Sequence, residues 1–144
     1  MAEDGVSMRE ILFRAKRLDT GEWVEGFLLK VTIDGKSAYL IFGDNFCFDG
    51  SDVKALSHAL VDSATVGQFT SLKDRAGKRI FEGDIVRGPH IGDDFMVEPV
   101  EFSAVCGWMP FDYLREDLSD VIGNIHDNPE LLENRWKEDK HDQS

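Results

Sequence analysis

Two groups of histidine and aspartate side chains have types and spacing that could support chemistry. His58 and Asp62 are four positions apart, so on a helix both would share one face, and His90, Asp93 and Asp94 form a second group. Imidazole and carboxylate groups bind divalent metals, but the first group lacks a nearby third ligand and the second matches no known metal loop. We therefore expect the first group to be a surface histidine beside a carboxylate and the second to lie in a solvated turn. We expect the chain to bind no metal or other cofactor.

The two cysteines give no sign of nucleophilic or redox chemistry. Cys47 and Cys106 are far apart, neither belongs to a Cys-x-x-Cys pair, and neither stands beside a histidine or a basic cluster. We expect two free, mostly buried thiols in a reducing cytoplasm. The sequence also lacks a glycine-rich phosphate loop, a Gly-x-Ser-x-Gly elbow and a His-Glu-x-x-His motif. These observations favour a protein that is not an enzyme.

Negative charge dominates the chain and lies mainly in its C-terminal part. The formal net charge is −12, and residues 91–144 hold 4 basic and 14 acidic side chains. Such a field repels phosphate backbones, so we expect no direct binding of nucleic acid. The basic cluster of Lys73, Arg75, Lys78 and Arg79 is interpreted as a solvated hairpin tip. The alternative is a docking site for an acidic partner or for a second subunit's acidic tail.

The elements that would position these residues are mainly strands. Residues 8–62 predict a β-meander, in which residues 23–33 form a long strand. Gly26 inside this strand indicates a bulge or a close approach of another backbone. Asp34-Gly35 predicts a tight hairpin turn with positive φ at both residues.

Residues 51–60 leave two alternatives open. Ser51 could cap a short helix in which apolar side chains recur at helical spacing, or a short strand could form at residues 59–61.

Residues 65–125 predict an SH3-like, partly open barrel packed against the meander. Residues 74–77 combine an aspartate that can accept from the backbone ahead with a glycine where positive φ is expected. Residues 82–84 give a second tight turn, and residues 85–86 begin a β-branched strand. Residues 88–94 have the composition of a loop.

We predict one domain over residues 8–136. Its fold class is predicted to be mainly β (all-β to α+β). Asn128-Pro129-Glu130 favours the start of a short C-terminal helix over residues 128–136, with Asn128 as the cap. Residues 1–7 are expected to be a disordered extension, and residues 137–144 a frayed tail.

Aromatic side chains cluster near the C-terminal end of the predicted barrel. Trp108, Phe111 and Tyr113 lie close in sequence, and the helix adds Leu132 and Trp136. One interpretation is a core beneath a loop. The other is an apolar interaction surface, because tryptophan and tyrosine are favoured as interface anchors.

Five sequence blocks resemble the YopX-like family of small prophage and temperate-phage proteins. They are the blocks at residues 8–15, 65–74, 82–86, 121–125 and 128–132, which occur here in the family's order. The resemblance implies a phage-related origin and a mainly β fold, and it supplies no active site.

These observations predict a phage-related accessory protein of the bacterial cytoplasm that acts by protein–protein contacts. It would bind itself, as a homo-oligomer, or a host or phage protein. One alternative is a metal-dependent hydrolase or nucleic-acid-directed enzyme that uses the histidines and aspartates named above. A weaker alternative is an acidic mimic of DNA that inhibits a host protein. No apolar run approaches the ~20 residues needed to span a bilayer, so no membrane partner is expected.

Overall fold

The computed structural model describes residues 10–43, 59–90 and 95–133. It divides into two compact units, Met1–Ser71 and Leu72–Ser144. The fold is mainly β with antiparallel sheets, which confirms the predicted class. The assignment of residues 8–136 to a single domain stays a prediction.

Unit 1 contains four strands, and a fifth begins in it. They are β1 (Phe13–Lys16), β2 (Trp23–Ile33), β3 (Lys36–Phe42), β4 (Leu60–Val61) and β5 (Gly67–Lys73), in the order β4-β3-β2-β1-β5. A 3-10 helix, Ser63–Thr65, precedes β5. The predicted long strand at residues 23–33 is confirmed. For residues 51–60, the alternative of a short strand at residues 59–61 is found as β4. The alternative helix falls on residues 51–58, which lie outside the described residues.

The β2–β3 hairpin follows from two glycine-dependent features. Asp34 and Gly35 have φ values of 51° and 79°, the left-handed pair that the sequence predicts for a tight turn. At Gly26 an added Cβ would collide with the carbonyl group of Phe42. The close backbone approach expected there is therefore confirmed.

The core of unit 1 lies on one face of these strands. Ala15, Ile41 and Val61 are buried at its centre, and partly buried neighbours surround them: Phe13, Val24, Leu28, Tyr39 and Val66. The backbone of β4 also bonds to the residues that follow β1, since Leu18 N donates to Leu60 O at 3.0 Å. The sheet therefore curls back towards its first strand.

Unit 2 holds the end of β5 and six further strands. They are β6 (Arg79–Phe81), β7 (Asp84–Pro89), β8 (Phe95–Pro99), β9 (Glu101–Ser103), β10 (Gly107–Met109) and β11 (Asp120–Asn124). One sheet has the order β11-β7-β8, and β9 pairs with β10 as a separate hairpin. The described strands form open sheets rather than a closed barrel. The SH3-like character of residues 65–125 stays a prediction.

The core of unit 2 is built on Ile80, Val86 and Val100. The predicted loop at residues 88–94 is wrong at its start, because Gly88 and Pro89 belong to β7 and pair with β8. Composition indicated a loop there, but the pairing with a strand later in the chain decides the structure.

The C-terminal helical turn covers residues 130–133 within the described part of the chain. Asn128 does not serve it as the predicted side-chain cap: its Oδ1 accepts from Asn124 N at 3.2 Å, which ties the turn to β11. The predicted tails, residues 1–7 and 137–144, lie outside the described residues.

Candidate functional site

The predicted metal ligands are not assembled by the residues that the structure describes. Within residues 10–43, 59–90 and 95–133, no three His, Cys, Asp or Glu side chains group closely enough to hold a metal ion. Asp62 Oδ1 instead accepts from Ala64 N at 3.0 Å, and the ring of His90 meets that of Tyr113 edge-on at 5.5 Å. His58, Asp93 and Asp94 lie outside the described residues.

Cys106 is a free thiol, but its predicted burial is wrong. It lies exposed in the turn between β9 and β10, where Ser103 Oγ accepts from the backbone N–H of both Val105 and Cys106 at 3.2 Å. Cys47 lies outside the described residues.

The sequence blocks that carry the family resemblance form structural contacts. Asp74 Oδ1 accepts from Ala76 N at 2.9 Å and from Lys78 N at 2.8 Å, as its position in the turn predicts. Its Oδ2 accepts from Val121 N at 3.0 Å, which fastens β11 to the β5–β6 turn. Gly77, with φ 86°, completes that turn.

These contacts set the charge state of the Asp74 carboxyl group. Burial raises the pKa of Asp74, but the N–H donors of Val121, Lys78 and Ala76 and the positive charge of Lys78 outweigh burial. The pKa of Asp74 therefore lies below its ordinary value of 3.8. The ionised form is the one that the fold stabilises.

Asp84 has a similar structural position at the second turn. Its buried side chain accepts from Phe81 N at 2.8 Å, and Gly83 between them has φ 94°. We call Asp74 and Asp84, with the backbone groups that bond them, the carboxylate turns. Since both carboxylates are buried and accept from backbone N–H groups, they serve the architecture rather than present reactive groups to solvent.

The predicted aromatic cluster is divided between core and surface. Trp108 and Phe111 are partly buried and pack against Ile80, Val86 and Val100. Tyr113 is exposed, and Leu132 is half-buried. Trp136 lies outside the described residues. The interaction surface assigned to these five side chains stays a prediction.

An exposed apolar surface occurs instead on the β9–β10 hairpin, which we call the apolar finger (residues 101–109). Phe102 exposes 59% and Val105 92% of its surface, and the Phe102 ring contacts Trp108 edge-on at 5.1 Å. Trp108 in turn packs on the core, so it gives Phe102 a fixed base. The sequence analysis did not single out Phe102 or Val105. The apolar turn Ala104-Val105-Cys106, where polar residues are usual, was the available signal.

A second exposed apolar surface lies in unit 1, along β2. Phe27, Leu29 and Ile33 alternate with inward-facing residues and remain exposed. We call these three side chains the β2 ladder. Both faces of β2 are apolar in sequence, because Val24 and Leu28 occupy the other face. That double pattern could have revealed the ladder.

An open cavity of about 500 Å³ lies in unit 2 beside Pro89, His90, Tyr113, Arg115 and Leu118. The guanidinium of Arg115 is held by Asp117, with bonds of 3.1 and 2.6 Å. This hydrogen bond raises the pKa of Arg115 and lowers that of Asp117. Because the cation is already paired, the cavity has no evident preference for an anion.

Antiparallel strands connected by turns that aspartates and glycines define make this a small, mainly β protein with exposed apolar side chains. The family described as YopX protein matches residues 12–133, and the chain therefore belongs to the YopX family. No match is found among curated proteins. Among the described residues, none of the helices has the length and apolar character needed to cross a membrane.

The chain is also similar to a protein of known crystal structure, EF1440 from Enterococcus faecalis. The two share 24% sequence identity, with a TM-score of 0.47, and the match covers 87% of this chain and 99% of that chain.

Proposed function

We propose that this YopX-family chain is a phage- or prophage-related accessory protein that acts in the bacterial cytoplasm by binding another protein. The phage context comes from the family resemblance of its sequence blocks. The mode of action is supported by one observation above all, the exposure of Phe102 and Val105 on the apolar finger. Large apolar side chains held out to solvent are a feature of protein interaction sites.

The finger is suited to an anchoring role because its base is ordered. Phe102 and Trp108 are direct partners in the β9–β10 register, and Trp108 packs against the core of unit 2. Little side-chain freedom is therefore lost when Phe102 enters a partner's pocket. Preorganisation of this kind raises affinity by lowering the entropic cost of binding.

The charge of the chain indicates the chemistry of the partner. Residues 91–144, which include the finger, carry 14 acidic and only 4 basic side chains. An apolar anchor in so acidic a part of the chain is complementary to an apolar recess with a basic rim. Association with such a partner would be faster at low salt, since surface charges steer encounter.

Affinity capture from the host cell tests the proposal. The wild type and the double variant Phe102→Thr/Val105→Ser are each used as bait, and the recovered proteins are quantified by mass spectrometry. We expect one host or phage protein to be enriched on the wild type and lost from the double variant, because the variant removes both anchors.

A Leu18→Thr variant is the matched control, since Leu18 is a similarly exposed apolar side chain in unit 1. It should capture the same protein as the wild type. Equal recovery on all three baits, or no specific protein on the wild type, would contradict the proposed role of the finger.

A further inference from the structure

We infer that the outer edge of β9, in the apolar finger, binds an extended segment of the partner protein as an added β-strand. The inference rests on the proposed function and names the structural class of the segment that the finger recognises. In strand addition, main-chain hydrogen bonds supply affinity and the neighbouring side chains supply specificity. The edge strand must turn backbone N–H and C=O groups towards solvent.

The register of the hairpin shows which residue of β9 turns its backbone groups outward. Phe102 lies directly opposite Trp108, and opposed residues of an antiparallel pair either exchange both hydrogen bonds or exchange neither. Trp108 O accepts from Phe111 N at 3.0 Å, so this carbonyl group is directed away from β9. Phe102 and Trp108 therefore form a pair without mutual hydrogen bonds, and the N–H and C=O of Phe102 point to the outer edge of β9.

The hydrogen bonds at the end of β8 place Phe102 on that edge independently. Val100 N donates to Asp84 O at 2.8 Å and Gly83 N donates to Val100 O at 2.9 Å, so the backbone of Val100 faces β7. Residues two positions apart in an extended chain turn their backbone groups to the same edge, so Phe102 also faces this side. Because β7 begins at Asp84, no strand among the described residues lies beside Phe102 there.

The outer edge of β10 is less suited to strand addition, because the chain itself uses it. The carbonyl of Trp108 on that edge is bonded to Phe111 N, and an added strand would have to displace this hydrogen bond. On β9, in contrast, Glu101 and Phe102 are both exposed. The β9 edge can therefore be reached by another chain without loss of a bond within the fold.

The side chains of the edge select an extended segment that carries basic and apolar residues. Glu101 and Phe102 point to opposite faces of β9, since consecutive residues of a strand alternate. A lysine or arginine beside Glu101 would form an opposite-charge pair between strands, and an apolar side chain beside Phe102 would cover part of its ring. A second copy of this chain is disfavoured as the occupant, because each copy has a net charge of −12 and two copies repel.

Binding of a synthetic nonapeptide of alternating lysine and valine residues to the full chain tests the inference. Fluorescence anisotropy of the labelled peptide measures the dissociation constant. The key variant replaces the backbone N–H of Phe102 by an ester oxygen, which removes the donor and retains both the aromatic ring and the charge. Loss of one main-chain hydrogen bond should raise the dissociation constant about threefold to tenfold.

The matched control is the same ester replacement at Trp108, whose N–H lies on the outer edge of β10. It should leave the dissociation constant unchanged. Equal dissociation constants for the wild type and the Phe102 ester, or no binding of the peptide, would overturn the inference. An equal rise with the two esters would contradict the choice of β9.

Two further measurements separate this inference from the proposed function. If the Phe102 ester captures the same host or phage protein as the wild type while Phe102→Thr/Val105→Ser loses it, the finger binds through side chains alone. The proposed function then stands and strand addition is overturned. Self-association of the wild type that the Phe102 ester abolishes would assign the edge to a second copy, as the predicted homo-oligomer requires, and would overturn the inferred occupant.

Discussion

The carboxylate turns and the apolar finger, both in unit 2, reverse the usual placement of polar and apolar side chains. Asp74 and Asp84 are buried, whereas Phe102 and Val105 are exposed. The aspartates are stable inside because backbone N–H groups bond them, and the apolar pair has no comparable reason within the fold. The sequence blocks that resemble the family therefore supply contacts that hold the fold together. The apolar surface available for binding lies between those blocks in the sequence.

The largest expected effect comes from removing a carboxylate turn. Asp74→Ala leaves three backbone donors without their acceptor, so we expect the free energy of unfolding to fall by about 3 kcal/mol. Urea denaturation measures this change. Asp112→Ala, which alters an exposed aspartate of the same unit, is the control and should have little effect. Equal stabilities of the two variants would remove the structural role assigned to Asp74.

A second test compares a tight and an open glycine position in unit 1. A Cβ at Gly26 would meet the backbone carbonyl of Phe42, which cannot move aside cheaply, so Gly26→Ala should cost about 2 kcal/mol. Gly43→Ala is the matched control, because its Cβ would lie 3.6 Å from Glu25 O, an ordinary contact. Thermal unfolding of both variants checks the contrast. Similar melting temperatures would show that the backbones do not approach closely at Gly26.

Acid should weaken the Asp74 turn selectively. The pKa of Asp74 is lower in the folded chain than its ordinary value of 3.8, so the unfolded chain binds the proton more readily. The stabilisation is therefore complete above about pH 3.8 and is lost as the pH falls through the lower, folded pKa.

Asp74→Asn should remove this part of the pH dependence, which urea titrations at a series of acidic pH values would measure. Asp112→Asn should retain it. A wild type and an Asp74→Asn variant with parallel pH profiles would argue against a lowered pKa.

The smallest expected effect on stability belongs to the apolar finger. Phe102→Thr/Val105→Ser removes largely exposed side chains and one edge-on contact with Trp108, so the free energy of unfolding should fall by only about 1 kcal/mol. Urea denaturation measures it beside Asp74→Ala. A loss as large as that of Asp74→Ala would mean that the finger is part of the core and would break the comparison.

Local rules explain which features the sequence could predict. The limits of β2, the Asp34-Gly35 turn and the bonds of Asp74 Oδ1 all depend on residues a few positions apart. Apart from the close backbone approach at Gly26, features that depend on distant pairing were missed. Val121 N reaches Asp74 across 47 positions, and Gly88 joins a strand because it pairs with Met96.

The candidate site was less predictable than the fold for the same reason. The predicted interaction surface depended on residue type alone, because tryptophan and tyrosine are common at interfaces. In the structure, Trp108 and Phe111 instead pack against the core of unit 2. Val105 is exposed because it occupies the turn of a hairpin that pairs only with itself among the described strands. Residue type cannot separate these two situations without the pairing of β9 with β10.

The central claim, that the chain works by binding through the finger, is tested most directly by calorimetric titration of the purified captured protein. We predict that Phe102→Thr/Val105→Ser raises the dissociation constant at least about tenfold, while Asp112→Ala leaves it unchanged. Equal dissociation constants for the wild type and the finger variant would contradict the account.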